Sequence, residues 1–118
     1  MFKRSLILAS LAFATPALTD PPSIVNVTVE QLGELWKFDV TVRHNDSGWE
    51  HYADAWRVLG PDGEPLGTRN LAHPHIEEQP FTRSLSGVRI PNGVTEVSIQ
   101  ARDSMDGWAS GVVTVPLR

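Results

Sequence analysis

The chain contains no cysteine. That excludes disulfides, acylation at a lipobox cysteine, thiolate metal centres and cysteine nucleophiles. Basic residues are scarce, with 10 Lys and Arg against 14 Asp and Glu and a net charge of -4. Loss of Lys3 and Arg4 with an export signal would make the balance more negative still. Such a chain lacks the basic surface on which nonspecific nucleic-acid binding depends, so no nucleic-acid partner is expected. No apolar run reaches the roughly 20 residues that a membrane-spanning helix needs. No stretch of twelve residues carries the hydrophobic period of a helix. No serine sits in a nucleophile motif and no glycine loop suited to an oxyanion is present, so no enzyme is expected. Disorder is excluded too, because 41% of the residues are hydrophobic and only 20% charged, enough for one small core.

What is present begins with an address. Met1-Phe2-Lys3-Arg4 is basic, Ser5 to Ala14 is apolar and small, and Thr15 to Thr19 adds small residues and a proline. This is the three-part form of a secretory signal, and the apolar part is too short to remain as a membrane anchor. The expected organisation is a signal peptide at 1–19, cleaved near 14–19, followed by a single domain at 20–118. The expected location is periplasmic or secreted, with a mature chain not embedded in a membrane.

The remainder reads as strands. In Leu35 to Arg43, Trp36, Phe38, Val40 and Val42 alternate with Lys37, Asp39, Thr41 and Arg43. That is the period of two of a half-buried strand. Val25, Val27 and Val29 repeat the pattern, as do Val97, Ile99 and Ala101, and Val113, Val115 and Leu117. Gly60-Pro61-Asp62-Gly63 and Pro91-Asn92-Gly93 are turn signals. Seven strands follow, at about 23–32, 35–43, 53–59, 64–71, 81–90, 94–103 and 111–117. Trp36 and Trp56 are expected in the core. The spacing predicts an all-β, seven-stranded antiparallel sandwich that resembles the immunoglobulin and fibronectin type III architecture. Two hallmarks are missing, a disulfide between the second and sixth strands and a tyrosine on the sixth.

Connections in such a sandwich alternate between its two ends. Gly33-Glu34, Gly60 to Gly63 and Pro91 to Gly93 are short and share one pole. His44 to Tyr52, Ala72 to Pro80 and Ser104 to Ser110 are longer and share the other, where function is expected. The long connections hold all four histidines. His44, His51, His73 and His75 are therefore the candidate ligands for copper or zinc. His73 and His75, two apart on an extended segment, share a face. Glu50, Asp54, Glu77 and Glu78 are candidate acceptors that fix the imidazole tautomers, and Met105 is a soft ligand suited to copper(I). The structural alternative makes His73 and His75 hydrogen-bonding staples of a proline-stiffened loop, held by Asp54 or Glu50. A different class of function rests on Trp49, Tyr52 and Trp108, a candidate recognition surface for an unknown periplasmic protein or ligand. The alternative for Trp49 and Trp108 is that they cap the end of the core.

The runs Gly48-Trp49-Glu50-His51-Tyr52-Ala53-Asp54-Ala55-Trp56-Arg57-Val58 and His73-Pro74-His75-Ile76-Glu77-Glu78-Gln79-Pro80-Phe81-Thr82-Arg83-Ser84, with Leu66-Gly67-Thr68-Arg69, resemble a group of small exported proteobacterial proteins of unassigned function. The resemblance covers about half of the mature chain. It implies a Gram-negative periplasmic protein and brings no activity with it.

Overall fold

The computed structural model describes residues 19–117; the expected signal peptide lies outside the described residues except for Thr19. Eight strands follow in order. They are β1 (Ser23–Leu32), β2 (Leu35–Arg43), β3 (Ala53–Leu59), β4 (Pro65–Asn70), β5 (Phe81–Val88), β6 (Glu96–Asp103), β7 (Gly107–Trp108) and β8 (Val113–Pro116). One sheet has the order β1-β2-β5, and the other has the order β4-β3-β6 with β7 and β8 both added to β6. All pairings are antiparallel. Among the described residues there is no helix, and so none long and apolar enough to cross a membrane.

The alternation in β2 explains its central place. Phe38, Val40 and Val42 are fully buried while Lys37, Asp39 and Thr41 face the other way. The opposite sheet answers with Trp56 and Val58 from β3 and with Val97, Ile99 and Ala101 from β6. Phe81 and Val88 of β5, Ala53, Leu71 and Val115 complete the core. Each such side chain contributes about 1.5–3 kcal/mol when taken from water, which makes this the main stabilising term.

Two expectations are corrected. Among the described residues the strands number eight, not seven, because the chain reaches the edge of β6 in two pieces. Gly107–Trp108 pairs with Arg102 and Asp103, and Val113–Pro116 then pairs with the stretch from Glu96 to Ile99. A two-residue strand is too short to show alternation, so it left no pattern in the sequence. Pro116, which has no N–H, is tolerated because β8 is an edge strand. Trp36 packs against the core, as expected, but is half-buried rather than enclosed. Positions 38, 40 and 42 face the opposite sheet squarely, whereas position 36 borders an open cleft between β1 and β8, lined also by Val27, Val29, Val115 and Leu117. Trp56 is fully enclosed, as expected.

The short connections serve the fold. Gly33 turns β1 into β2 with φ of +67°, a conformation that side chains with a Cβ rarely adopt. The long connections gather at the opposite end. Ser104 N donates to Tyr52 O at 2.9 Å, joining the β6–β7 turn to the β2–β3 loop. His44 N donates to Gln79 Oε1 at 2.9 Å, joining that loop to the β4–β5 loop.

Candidate functional site

Asp46 organises this pole. Its carboxylate is completely buried and has three donors around it. Oδ1 accepts from Ala53 N at 2.9 Å and from His44 Nδ1 at 2.6 Å; Oδ2 accepts from His75 N at 2.8 Å. One side chain thus ties the end of β2, the start of β3 and the β4–β5 loop. A buried carboxylate is costly to desolvate unless it is surrounded by donors in this way.

His44 is held by that carboxylate with its ring fully enclosed. Its second nitrogen, Nε2, lies 2.7 Å from the Asp20 carbonyl oxygen and 3.6 Å from the Asp20 carboxylate. The His51 ring approaches edge-on, with centroids 4.8 Å apart. Ligating atoms of Asp20, His44 and His51 all lie within 4.8 Å of one another.

His51 also faces the β6–β7 turn. There it forms a second group with Asp103 and Asp106, again with ligating atoms within 4.8 Å of one another. Asp103 ends β6 at an inward position and is completely buried. Its Oδ1 accepts from Met105 N at 2.9 Å and Asp106 N at 2.7 Å, which bends the chain back into β7. Among the described residues its Oδ2 has no hydrogen-bond partner, and neither has the buried Nε2 of His51, which lies 3.6 Å from Asp103 Oδ1. The backbone of this imidazole is pinned by a tight turn, with Ser47 N donating to His51 O at 3.0 Å and His51 N to Gly48 O at 3.1 Å.

His73 and His75 are together but in neither group. Their rings are 4.7 Å apart, His73 exposed and His75 buried and stacked on Phe81 at 3.9 Å. Arg83 Nη2 donates to His75 Nε2 at 2.8 Å, which occupies that nitrogen's lone pair and leaves the proton on Nδ1. Burial, the Arg83 charge and His73 push the His75 pKa below its ordinary value, against the opposing pull of Glu78 and Asp46. A nitrogen facing a guanidinium is a poor metal ligand. The expected four-imidazole set is therefore divided into two pairs, His44 with His51 and His73 with His75.

The expected acceptors also have other work. Glu50 accepts from Ser47 Oγ at 3.1 Å, Asp54 pairs with Arg102, and Glu77 and Glu78 are exposed, Glu78 lying 3.8 Å from Arg83. Of the aromatic residues, Trp49 is 67% exposed and meets Tyr52 edge-on at 5.5 Å. Trp108 leaves this group. It is half-buried on the outer face of the β3–β6–β7 sheet, with the Arg57 guanidinium 3.8 Å from its ring centroid. Met105 is 65% exposed at the β6–β7 turn.

Sequence reasoning missed Asp20, Asp46, Asp103 and Asp106. For Asp103 a signal existed. The alternation of Val97, Ile99 and Ala101 continues to position 103 and turns a carboxylate inward. For Asp20 none existed, since its position depends on how the segment before β1 crosses the pole.

No family model matches the chain, and no solved structure matches it. Among curated proteins it is 36% identical over 94 residues to a protein of Halomicrobium mukohataei described as "Putative lipoprotein". The alignment covers 79% of this chain and 46% of that protein, so the chain spans about half the length of the relative.

Proposed function

We propose that this is an exported, non-catalytic β-sandwich module of the periplasm or the secreted fraction whose histidine-bearing pole binds a divalent transition metal, zinc or copper(II). The observation that carries the reading is the pair of buried, unpartnered atoms at the β6–β7 turn, His51 Nε2 and Asp103 Oδ2. A buried polar atom without a partner costs about 1–3 kcal/mol, and a cation bound to both would remove that cost. Zinc ligands stand about 2.0–2.1 Å from the ion, and hence about 3.4 Å from each other in a tetrahedron. His51 Nε2 lies 3.6 Å from Asp103 Oδ1, the oxygen that already accepts from Met105 N and Asp106 N, so zinc would take the free Oδ2 of the same carboxylate. Asp106, which is exposed, would add a second carboxylate. Export is supported by the basic, apolar and small-residue segments of Met1 to Thr19 and by the lipoprotein description of the relative.

The test is retention of metal by the purified full-length chain after dialysis against zinc. About one equivalent is expected. His51→Ala should abolish retention and Asp106→Asn should weaken it at least tenfold, while His73→Ala should leave it unchanged. Retention lost only in His73→Ala would overturn the assignment.

A second reading is favoured by a separate observation. Trp49, Ile76 and Met105, each more than half exposed, come from the three different loops of this pole. Such a crown, with Tyr52 behind Trp49, supports recognition of a protein ligand. Cross-linking to a periplasmic partner that is lost in Trp49→Ala and insensitive to chelator would favour this reading over metal binding.

A further inference from the structure

The end of the sandwich away from the histidines is concave as well. A cleft of about 520 Å³ opens between the β1–β2 turn and the β5–β6 connection. The cleft between β1 and β8 has a volume of about 650 Å³. Gln31 and Trp36 line both, so the two clefts meet at these side chains. Each volume lies within the roughly 300–1,000 Å³ typical of ligand sites.

The local sequence explains how this lining is assembled. Gln31 pairs directly with Trp36 across β1 and β2, and directly opposed residues stand on the same face of a sheet. The alternation of β2 turns Trp36 inward with Phe38 and Val40, yet near the end of the sandwich it packs on the core and stays half-buried. Gly33 and Gly93, with φ of +67° and +90°, allow the tight turns that carry Glu34 and Asn92. Val94 N donates to Pro91 O at 3.3 Å, which closes the turn around Asn92. Arg89 enters the lining just after β5.

The first cleft thus sets one indole among four exposed polar side chains, Gln31, Glu34, Arg89 and Asn92. Among the described residues none of these four is engaged in a hydrogen bond or an ion pair, so their donors and acceptors are free for a ligand. The two amides both donate and accept, the guanidinium only donates and the carboxylate only accepts. The charges are one of each sign, and no other charged side chain among the described residues lines either cleft. Such a lining selects neither an anion nor a cation. It matches a neutral ligand with an apolar face for the indole and a rim of groups that each donate and accept. A sugar ring has both, its C–H bonds forming the face and its hydroxyls the rim. An apolar peptide would fill the cleft between β1 and β8 but make no use of the four polar groups.

We infer that Trp36, Gln31, Glu34, Arg89 and Asn92 form a binding site for a neutral oligosaccharide. One sugar ring packs on Trp36, and the saccharide continues along the cleft between β1 and β8. The site shares no residue with the metal position and stands whether or not that position binds zinc.

The test titrates the full-length protein, labelled with nitrogen-15 and kept in chelator, with chitotetraose, cellotetraose and maltotetraose, and follows the indole N–H signals. At least one of the three is expected to bind and to move the signal of Trp36 while those of Trp49 and Trp108 stay in place. Gln31→Ala with Arg89→Ala, both at exposed positions, should lower that affinity about tenfold, and the same spectra show that the variant is folded. Trp49→Ala should leave the affinity unchanged. Binding of none of the three overturns the inference. So do shifts at Trp49 or Trp108 in place of Trp36, or an affinity in the double variant within about twofold of the parent. Movement of the Trp36 signal with protein concentration and not with sugar would assign the cleft to a second copy of the chain and overturn it as well.

Discussion

Replacing Asp46 by alanine should damage this molecule more than almost any other single change at the pole. The substitution strips the acceptor from Ala53 N, His75 N and His44 Nδ1 at once. Each donor left buried without a partner costs about 1–3 kcal/mol, less where water can reach it. Removing one partner of a buried pair costs about 3–5 kcal/mol as a rule, and the same range is expected here because the three losses overlap in space. A domain of about 100 residues has a total stability of roughly 5–15 kcal/mol, so the variant should be near the edge of folding. At about 4–8 °C per kcal/mol, Tm should fall by at least about 12 °C. Asp46→Asn should fall between the variant and the parent, since the amide keeps one accepting oxygen but turns an NH2 toward a donor. Urea unfolding followed by tryptophan fluorescence measures both, with Asp62→Ala in the exposed β3–β4 turn as the control, expected within about 0.5 kcal/mol of the parent. A loss below about 1 kcal/mol in Asp46→Ala would refute the reasoning, because it would mean that the three hydrogen bonds do not hold the loops together.

Other outcomes follow from the same structure. Because His75 binds its proton more weakly when folded than when unfolded, its contribution to stability is complete above the ordinary histidine range near about 6.5. It is lost as pH falls through that range toward the lowered folded value. The urea midpoint should therefore drop between pH 7.5 and 5, and drop less in His75→Phe; equal slopes in the two proteins would contradict this. Trp56→Ala should cost about 3–5 kcal/mol while Trp49→Ala, at an exposed position, should cost less than about 0.5 kcal/mol, as measured by the same unfolding curves. Trp108→Leu should destabilise by about 0.5–2 kcal/mol through loss of the Arg57 contact, and in an Arg57→Met background most of that loss should vanish.

Much of the scaffold was legible because burial leaves a local trace. Phe38, Val40 and Val42 alternate with polar neighbours, and β2 and β3 run over the residues that this alternation marks. Turn residues placed the short connections for the same reason, since Gly33 and Gly93 answer a backbone need that is local. The extent of β6 and the division of the last strand into β7 and β8 depend on hydrogen bonds across the sheet, which leave no periodic mark. The pole was legible in composition but not in contacts. That His44 and His51 share a wall follows from their places near the two ends of one loop, whereas the pairing of His75 with Arg83 instead of a metal follows from how β5 aims one side chain. Loop membership groups Trp108 with Trp49 and Tyr52, yet its strand register with Arg102 turns it to the outer sheet face. Acidic residues were the least visible, because their role comes from burial and unpaired oxygens rather than from spacing.

The central claim is that His51 is a metal ligand, and nitrogen-detected nuclear magnetic resonance of the imidazoles tests it most directly. In the full-length protein, one equivalent of zinc should move a ring nitrogen of His51 into the range of a metal-bound imidazole while those of His73 and His75 stay where they were. Movement of His73 and His75 with His51 unchanged would contradict the account.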